Sequence, residues 1–260
     1  MAVDHAQDAP DRTLRRWWLA PARWWRELLI IGVGYGLYTL IQHHINILPG
    51  PALNHAADIV RLETRLHLAV EPSVNHALAL HPTLAAVANY YYVAMHEAVT
   101  PAVILWVFLR HRGAYPYARF LLVVPTLIGF ALYYVVPVAP PRLLPGDGMV
   151  DTMARYASIG DYSQGPMSHT AAQFAAFPSL HLVWAMWCGA MVCWLVRRWY
   201  VRVVAVAYPI CTGLVVVATA NHYLFDLAGA VVVFAAGAGL LAVSYVGLVR
   251  PAELQTAAAG

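Results

Sequence analysis

Long apolar runs alternate with short polar breaks along this chain. The runs cover about Leu28–Ile47, Leu84–Leu109, Phe120–Val138, Leu180–Val196, Val203–Ala220 and Tyr223–Val249. Each comes close to the ~20 residues an α-helix needs to cross the hydrocarbon core of a bilayer. The pattern predicts an all-α polytopic membrane protein, a bundle of six transmembrane helices. Prolines punctuate the segment between the first two runs, at Pro49-Gly50-Pro51, Glu71-Pro72 and His81-Pro82. Within it, Ala52–Val70 spaces Leu53, Ala56, Ala57, Val60 and Leu68 between polar residues. That spacing predicts a short amphipathic helix on the membrane surface. A long loop rich in Pro, Gly, Asp and Ser, residues 139–177, separates the third run from the fourth. No internal repeat is evident.

Both ends of the chain are polar. Residues 1–11 are predicted to be disordered, and residues 12–26 interleave arginines with Trp17, Trp18, Trp24 and Trp25, a mixture suited to the headgroup region. The apolar stretch that follows continues to Ile47 without a small-residue cleavage site, so it reads as a retained span rather than a signal peptide. Three segments result: an interfacial, cytoplasmic N-terminal part (1–27), one membrane domain (28–249) and a short cytoplasmic tail (250–260).

Composition agrees with this reading and adds a topology. Of 260 residues 61% are hydrophobic and 11% charged, under half of the ~25% charged residues usual in soluble domains. Every cationic side chain is arginine, and the net charge of +3 says less than the distribution. Six spans put both termini on one side. The N-terminus, the 110–119 and 197–202 turns and the tail carry 12 of the 16 arginines. Arg61, Arg65, Arg142 and Arg155 fall on the other side. The positive-inside rule then predicts cytoplasmic termini in the plasma (inner) membrane, with the 139–177 loop and the starts of the fourth and sixth runs facing outward. Cys188, Cys193 and Cys211 all lie inside apolar runs and read as buried thiols. No disulfide framework or paired-cysteine zinc motif is present.

Two short segments at those outward starts carry the candidate chemistry: Phe177-Pro178-Ser179-Leu180-His181 and Asn221-His222-Tyr223-Leu224-Phe225-Asp226. Polar and ionisable groups are costly at the edge of an apolar run. His222 and Asp226 are four apart, so on a helix they share a face. A carboxylate on one imidazole nitrogen fixes the tautomer and frees the other nitrogen to attack. Alone, such a pair also fits a helix-capping histidine with an outward aspartate. Ser179 suits an N-cap, and the free N–H groups beyond it suit an anion, with His181 in the same turn as a general acid and base. Arg142, in Pro140-Pro141-Arg142, can fork onto phosphate oxygens, or be a solvated loop arginine.

In this order, Pro-Pro-Arg, Pro-Ser-x-His and His-x-x-x-Asp resemble the type-2 phosphatidic acid phosphatase superfamily over roughly residues 80–250. The resemblance implies a six-helix membrane core, a histidine nucleophile, a phosphohistidine intermediate and no metal. Phosphatases of that superfamily typically have Pro-Ser-Gly-His, a lysine six residues ahead of an Arg-Pro pair, and Ser-Arg before the second histidine. Here Leu180, Val135 with Leu143, and Val215-Val216 occupy those places. Pro-Pro-Arg, Phe-Pro-Ser-Leu-His and His-Tyr-x-x-Asp look instead like the inositol phosphorylceramide synthases and their bacterial relatives, which move a phospho-headgroup between lipids. A monoester dianion needs more positive charge than a diester, so the absent cations argue against simple monophosphate hydrolysis.

The expectation is a lipid phosphotransferase acting at the outer face, with His222, Asp226 and His181 catalytic and Arg142, Ser179 and Asn221 around the phosphate. His96, Glu97, Asp151 and Tyr223 are candidates for a substrate pocket. His96–Glu97 equally suits a structural hydrogen bond, whereas Asp147, Asp151 and Asp161 read first as solvated loop positions and only second as acceptor-site residues. Tyr90, Tyr91 and Tyr92 read as packing residues. The expected partners are a lipid-linked phosphate and a hydroxyl acceptor (a polyol, sugar, lipid or water), with no cofactor and no nucleic acid. Water as acceptor would make the enzyme a phosphatase. A zinc site from His169, His181, His222 and Asp226 is the chemical rival, and a non-catalytic lipid-binding or transport protein is the rival of another class.

Overall fold

A computed structural model describes residues 23–44, 49–156 and 174–245. The tail and most of the N-terminal segment lie outside the described residues, as do Asp161 and His169. Nine α-helices run through the described residues: α1 (Trp24–His44), α2 (Pro49–Arg65), α3 (Glu71–Ala79), α4 (Pro82–Arg110), α5 (Tyr115–Val135), α6 (Thr152–Arg155), α7 (Leu180–Leu195), α8 (Trp199–Ala218) and α9 (Leu224–Ser244). The described chain is all-helical apart from a single parallel bridge between Val138 and Ala175. Four helices, α4, α5, α8 and α9, are long and apolar enough to cross a membrane. Their exposed faces carry large apolar side chains such as Leu105, Val204, Ile210, Val232 and Val243, which in water would be a liability and in lipid is the expected surface.

The apolar runs and the helices coincide, with edges shifted by a few residues. The shifts have local causes. Pro82 and Pro116 sit in the first turns of α4 and α5, where the missing N–H costs nothing, so both helices begin earlier than the apolar runs do. The segment over 71–83, which the prolines suggest is broken, contains α3. Pro72 lies in its first turn and starts the helix rather than ending it. The 139–177 loop is partly ordered, with a 3₁₀ turn at Pro141–Leu143 and the single turn of α6.

α7 is the centre of the bundle. It is 16 residues long, apolar all round, and packs against α4, α5, α8 and α9, as expected of a helix buried on every side. Glycine sets its closest approach: a Cβ on Gly189 would meet the Ala205 carbonyl oxygen of α8 at 2.6 Å. At one end of the bundle, Glu27 of α1 accepts hydrogen bonds from Arg119 (2.5 Å) and Tyr115 (2.9 Å) at the start of α5. Tyr245, after α9, packs edge-on to Tyr117 there. The starts of α7 and α9 lie at the opposite end, under the 139–156 segment and α2.

α2 buries Ala52, Ala56, Ile59 and Glu63, one helical stripe, against Val138, Ala139, Ala176 and Tyr223. Asn75 of α3 bonds the Ala218 carbonyl (2.9 Å) and both the carbonyl (3.0 Å) and N–H (2.8 Å) of Val150. Asn89 of α4 and Thr152 form a second such clasp. These fully buried amides tie the loop to the helices beneath it, and each amide oxygen and nitrogen has a partner.

Candidate active site

The Phe177–His181 segment enters α7 through an extended Ser179, whose Oγ accepts the Leu182 N–H at 3.4 Å. Tyr133 donates to the Pro178 carbonyl at 2.9 Å. Leu180 lies on Gly129 of α5, where a Cβ would come within 2.6 Å of its Cδ2. Phe177 stacks on Phe225 (5.4 Å between centroids) and covers Gly229 of α9, where a Cβ would meet its ring at 2.4 Å. Two glycines on neighbouring helices thus make room for the two apolar residues of this motif. Among the described residues, the N–H groups of Leu180 and His181 meet no acceptor.

The second segment leaves α8 through Ala220, which has φ +56°. A non-glycine residue pays about 1–2 kcal/mol in that region, so surrounding contacts must hold it. They do: the Asn221 and His222 N–H groups both donate to the Val216 carbonyl, and the Ala220 carbonyl accepts from the Arg142 N–H at 3.0 Å. His222 follows, 3% exposed, with Asp226 fully buried. Its Nδ1 lies 3.2 Å from Asp226 Oδ2. The carboxylate can only accept, so Nδ1 carries the proton and Nε2 keeps its lone pair. The same Oδ2 accepts the Tyr223 N–H at 2.9 Å.

Backbone hydrogen bonds join the three motifs. Ser179 N–H donates to the Asp226 carbonyl at 3.2 Å, and Arg142 is bound to Ala220 as above. The rings of His181 and His222 are 6.0 Å apart. Arg142 is largely buried, with Nε 3.8 Å from Asp151 Oδ2 and with a buried Nη1 that meets no partner among the described residues. Asp151 caps α6 by accepting the Met153 and Ala154 N–H groups, each at 3.0 Å. It is therefore a structural cap that also faces the arginine.

The other expected site residues divide. Asn221 is buried beside His222, but its Nδ2 is bound to Thr219 Oγ1 at 2.8 Å. What it has to offer is Oδ1, an acceptor that meets no partner among the described residues. An acceptor suits a hydroxyl better than a phosphate oxygen. His96 reaches the site from the middle of α4, edge-on to His181 at 4.4 Å, while Tyr92 stacks on His181 at 4.4 Å. His96 also bonds the Tyr92 carbonyl (3.1 Å) and Glu97 (3.2 Å), and the Glu97 side chain is 77% exposed. Tyr223 packs among the α2 cluster rather than beside the imidazoles. Among the described residues, no group of three or more His, Cys, Asp or Glu side chains is arranged to hold a metal ion.

Two carboxylates escaped the sequence reading. Glu71 Oε1 accepts the Leu224 N–H at 2.8 Å, and Glu63 Oε1 accepts the Phe225 N–H at 2.7 Å. Glu63 carried a signal, being the one acid on the apolar stripe of α2. Glu71, just before Pro72, looks like any acid in a first helical turn.

A core with four membrane-length helices brings two imidazoles, a carboxylate and an arginine together at one end. Residues 57–240 match the model of the PAP2 superfamily. The match covers well over half of the chain, and the chain belongs to that superfamily, whose members are phosphatases and phosphotransferases. No curated protein and no solved structure matches the chain.

Proposed function

We propose that this protein is a six-span membrane phosphotransferase that moves a phospho-headgroup from one lipid to a hydroxyl acceptor through a phosphohistidine on His222. The observation that carries this reading is the buried His222–Asp226 pair, with Nε2 free and the His181 ring 6.0 Å away. His222 Nε2 attacks phosphorus, and the bond from phosphorus to the lipid oxygen breaks. His181, protonated, gives its proton to that oxygen. Asp226 stabilises the positive charge that develops on the His222 ring. Arg142 Nη1 and the N–H groups of Leu180 and His181 hold the phosphate oxygens. In the second half, the acceptor O–H attacks phosphorus, His181 takes its proton, and the P–N bond breaks. No step needs a metal.

Transfer is favoured over hydrolysis by charge and by apolar lining. Val135, Val215 and Val216 contribute no cation, so Arg142 is the guanidinium offered to the phosphate, a match for the single charge of a diester. Leu180 and Phe177 keep the site edge apolar. Asn221 Oδ1 and the His96–Glu97 pair supply acceptors for a hydroxyl. The same-end clustering of the α1 and α5 starts with the α9 end supports six spans with both termini on one side; with that side cytoplasmic, the site opens at the outer face of the plasma membrane. On this reading α2 lies along that face, over the helical bundle of the membrane domain 28–249.

The test is mass spectrometry of lipids and released headgroups after incubating purified protein with mixed membrane lipids and polyols in chelator, beside its His222→Ala form. A headgroup-exchanged lipid made only by the wild type is expected. Free headgroup phosphate or a dephosphorylated lipid alone would make the enzyme a phosphatase. Activity abolished by chelator and restored by zinc would overturn the histidine mechanism, and no His222-dependent change would point to a non-catalytic lipid-binding protein.

A further inference from the structure

The first backbone donors of α9 are held from outside the helix. Glu63 ends the buried stripe of α2, Glu71 begins α3, and the two side chains belong to residues only 3% and 2% exposed. They take the N–H groups of Phe225 and Leu224 across 162 and 153 residues of sequence. Asp226 Oδ2 takes the preceding N–H, that of Tyr223. Three successive amides between His222 and Asp226 are thus each fixed by a carboxyl group. Burial, and then the neighbouring Glu71, push the Glu63 carboxyl upward.

We propose that Glu63 and Glu71 are positioning residues, a buried carboxyl pair that holds the turn from His222 to Asp226 in the geometry needed for attack on phosphorus. This inference rests on His222 as the nucleophile and deepens that reading. Neither glutamate touches the reacting atoms. They act through the Leu224 and Phe225 amides on Asp226 Oδ2, which must meet both Tyr223 N–H and His222 Nδ1. At 3.2 Å the imidazole contact is already at the long end for a hydrogen bond. A small displacement of this turn breaks it.

The raised Glu63 carboxyl makes the device sensitive to pH. Glu63 is faced by Glu71 from α3 and by Asp226 from α9. The Tyr223 phenol and, through Glu71, Asp147 of the outer loop lie within the same field. Burial first, and then Glu71, push the Glu63 carboxyl from 4.5 up to about 8. Because the folded site binds this proton more tightly than the unfolded chain, the stability Glu63 contributes declines as pH rises from 4.5 toward about 8. Above about 8 Glu63 is ionised beside its acidic neighbours, and the repulsion loosens the hold on the two amides.

The experiment compares full-length wild type with Glu63→Gln, Glu63→Ala and Glu71→Ala, in lipid, by two measurements. Amide hydrogen exchange is followed in the peptide spanning 222–228, and headgroup transfer is followed from pH 6 to 9.5. The alanine variants should exchange faster in that peptide and lose about 10–100-fold in kcat with little change in KM, the cost usual for a group that orients a reacting one. Glu63→Gln keeps an acceptor for Phe225 and a donor for Glu71. It should stay within about fivefold of wild type and lose the fall in rate above about pH 8. Wild-type exchange and wild-type kcat in both alanine variants would overturn the proposal, as would an unchanged alkaline limb in Glu63→Gln should the alanine variants fail to fold. Absence of His222-dependent transfer in the wild type would instead overturn the function, while the exchange data would still decide whether the pair holds the turn.

Discussion

The starts of α7 and α9 lie side by side at one end of the bundle, and each carries a histidine, yet they are finished in opposite ways. At α9 every early donor is taken: Tyr223 N–H by Asp226, Leu224 N–H by Glu71, Phe225 N–H by Glu63. At α7 Ser179 takes only the Leu182 N–H, and the two donors before it meet no acceptor among the described residues. Arg142, at this end as well, has an Nη1 with no partner among the described residues. A helix start offers about half a positive charge. At α9 three carboxyl groups consume it, so an anion has no reason to bind there and the histidine is locked. At α7 it remains available. The comparison separates two tasks that the sequence motifs do not: α9 orients the attacking ring, and α7 receives the phosphate.

The largest expected effect strikes the locked side. Asp226→Asn keeps size and shape but replaces the acceptor facing Nδ1 with a group that can present N–H, favouring the tautomer whose Nε2 is protonated. Transfer should fall by about 10³-fold or more, by analogy with other carboxylate-oriented histidines. The thermal midpoint should change far less than the rate. Trapping the acid-labile phosphoenzyme in a rapid quench would check it. A phosphohistidine formed at the wild-type rate would show that Asp226 does not set the tautomer.

On the open side the effects should be smaller and should appear in substrate affinity. Arg142→Lys keeps the charge and loses the fork, as well as the lysine-inaccessible reach to Asp151 through Nε. About a tenfold rise in KM for the donor lipid is expected, with kcat lowered less. Equal losses in kcat and kcat/KM would mean that Arg142 acts only in the transition state.

Packing links the two sides, and Gly229 is where it can be cut. Its missing Cβ leaves room for Phe177, whose ring also stacks on Phe225. Gly229→Ala forces Phe177, and with it the Pro178-Ser179 entrance to α7, away from α9. Overpacking of this kind costs about 1–3 kcal/mol. A lower thermal midpoint together with a raised KM for the donor is the expected result. An unchanged midpoint would mean that Phe177 repacks without moving the entrance.

Much of this site was legible in the sequence because its chemistry is local. His222 and Asp226 are one helical turn apart, Ser179 and His181 share a first turn, and Pro140-Pro141-Arg142 announces a fixed loop. Helix positions followed from apolar runs for the same reason. What escaped depends mostly on contacts across 50 residues or more. Glu71 and Leu224 meet only because α3 packs under the α8–α9 connection. Gly129 matters only because Leu180 faces it. Ala220 at φ +56° carries no sequence signal at all, since the residues that usually adopt that conformation are glycine and asparagine. Asp151 shows the converse: its position after the loop glycines suggests solvation or substrate, and the fold makes it a helix cap. Leu180, a departure from the phosphatase pattern, becomes intelligible once its socket on α5 is seen.

Ser179→Ala should give the smallest effect, and it tests the comparison most finely. The Ser179 hydroxyl caps α7 through one long hydrogen bond of 3.4 Å, so its loss should cost about 1 kcal/mol or less in stability. Unlike the α9 carboxylates, this oxygen can also donate its proton to a phosphate oxygen while the helix N–H groups do the same. If α7 receives the anion, the variant should raise KM for the donor lipid a few-fold while the pH profile and the rate of phosphohistidine breakdown stay put, because neither His222 nor its carboxyl neighbours are disturbed. If Ser179→Ala instead altered the pH profile, the two helix starts would be electrostatically one site. The separation of tasks between them would then have to be given up.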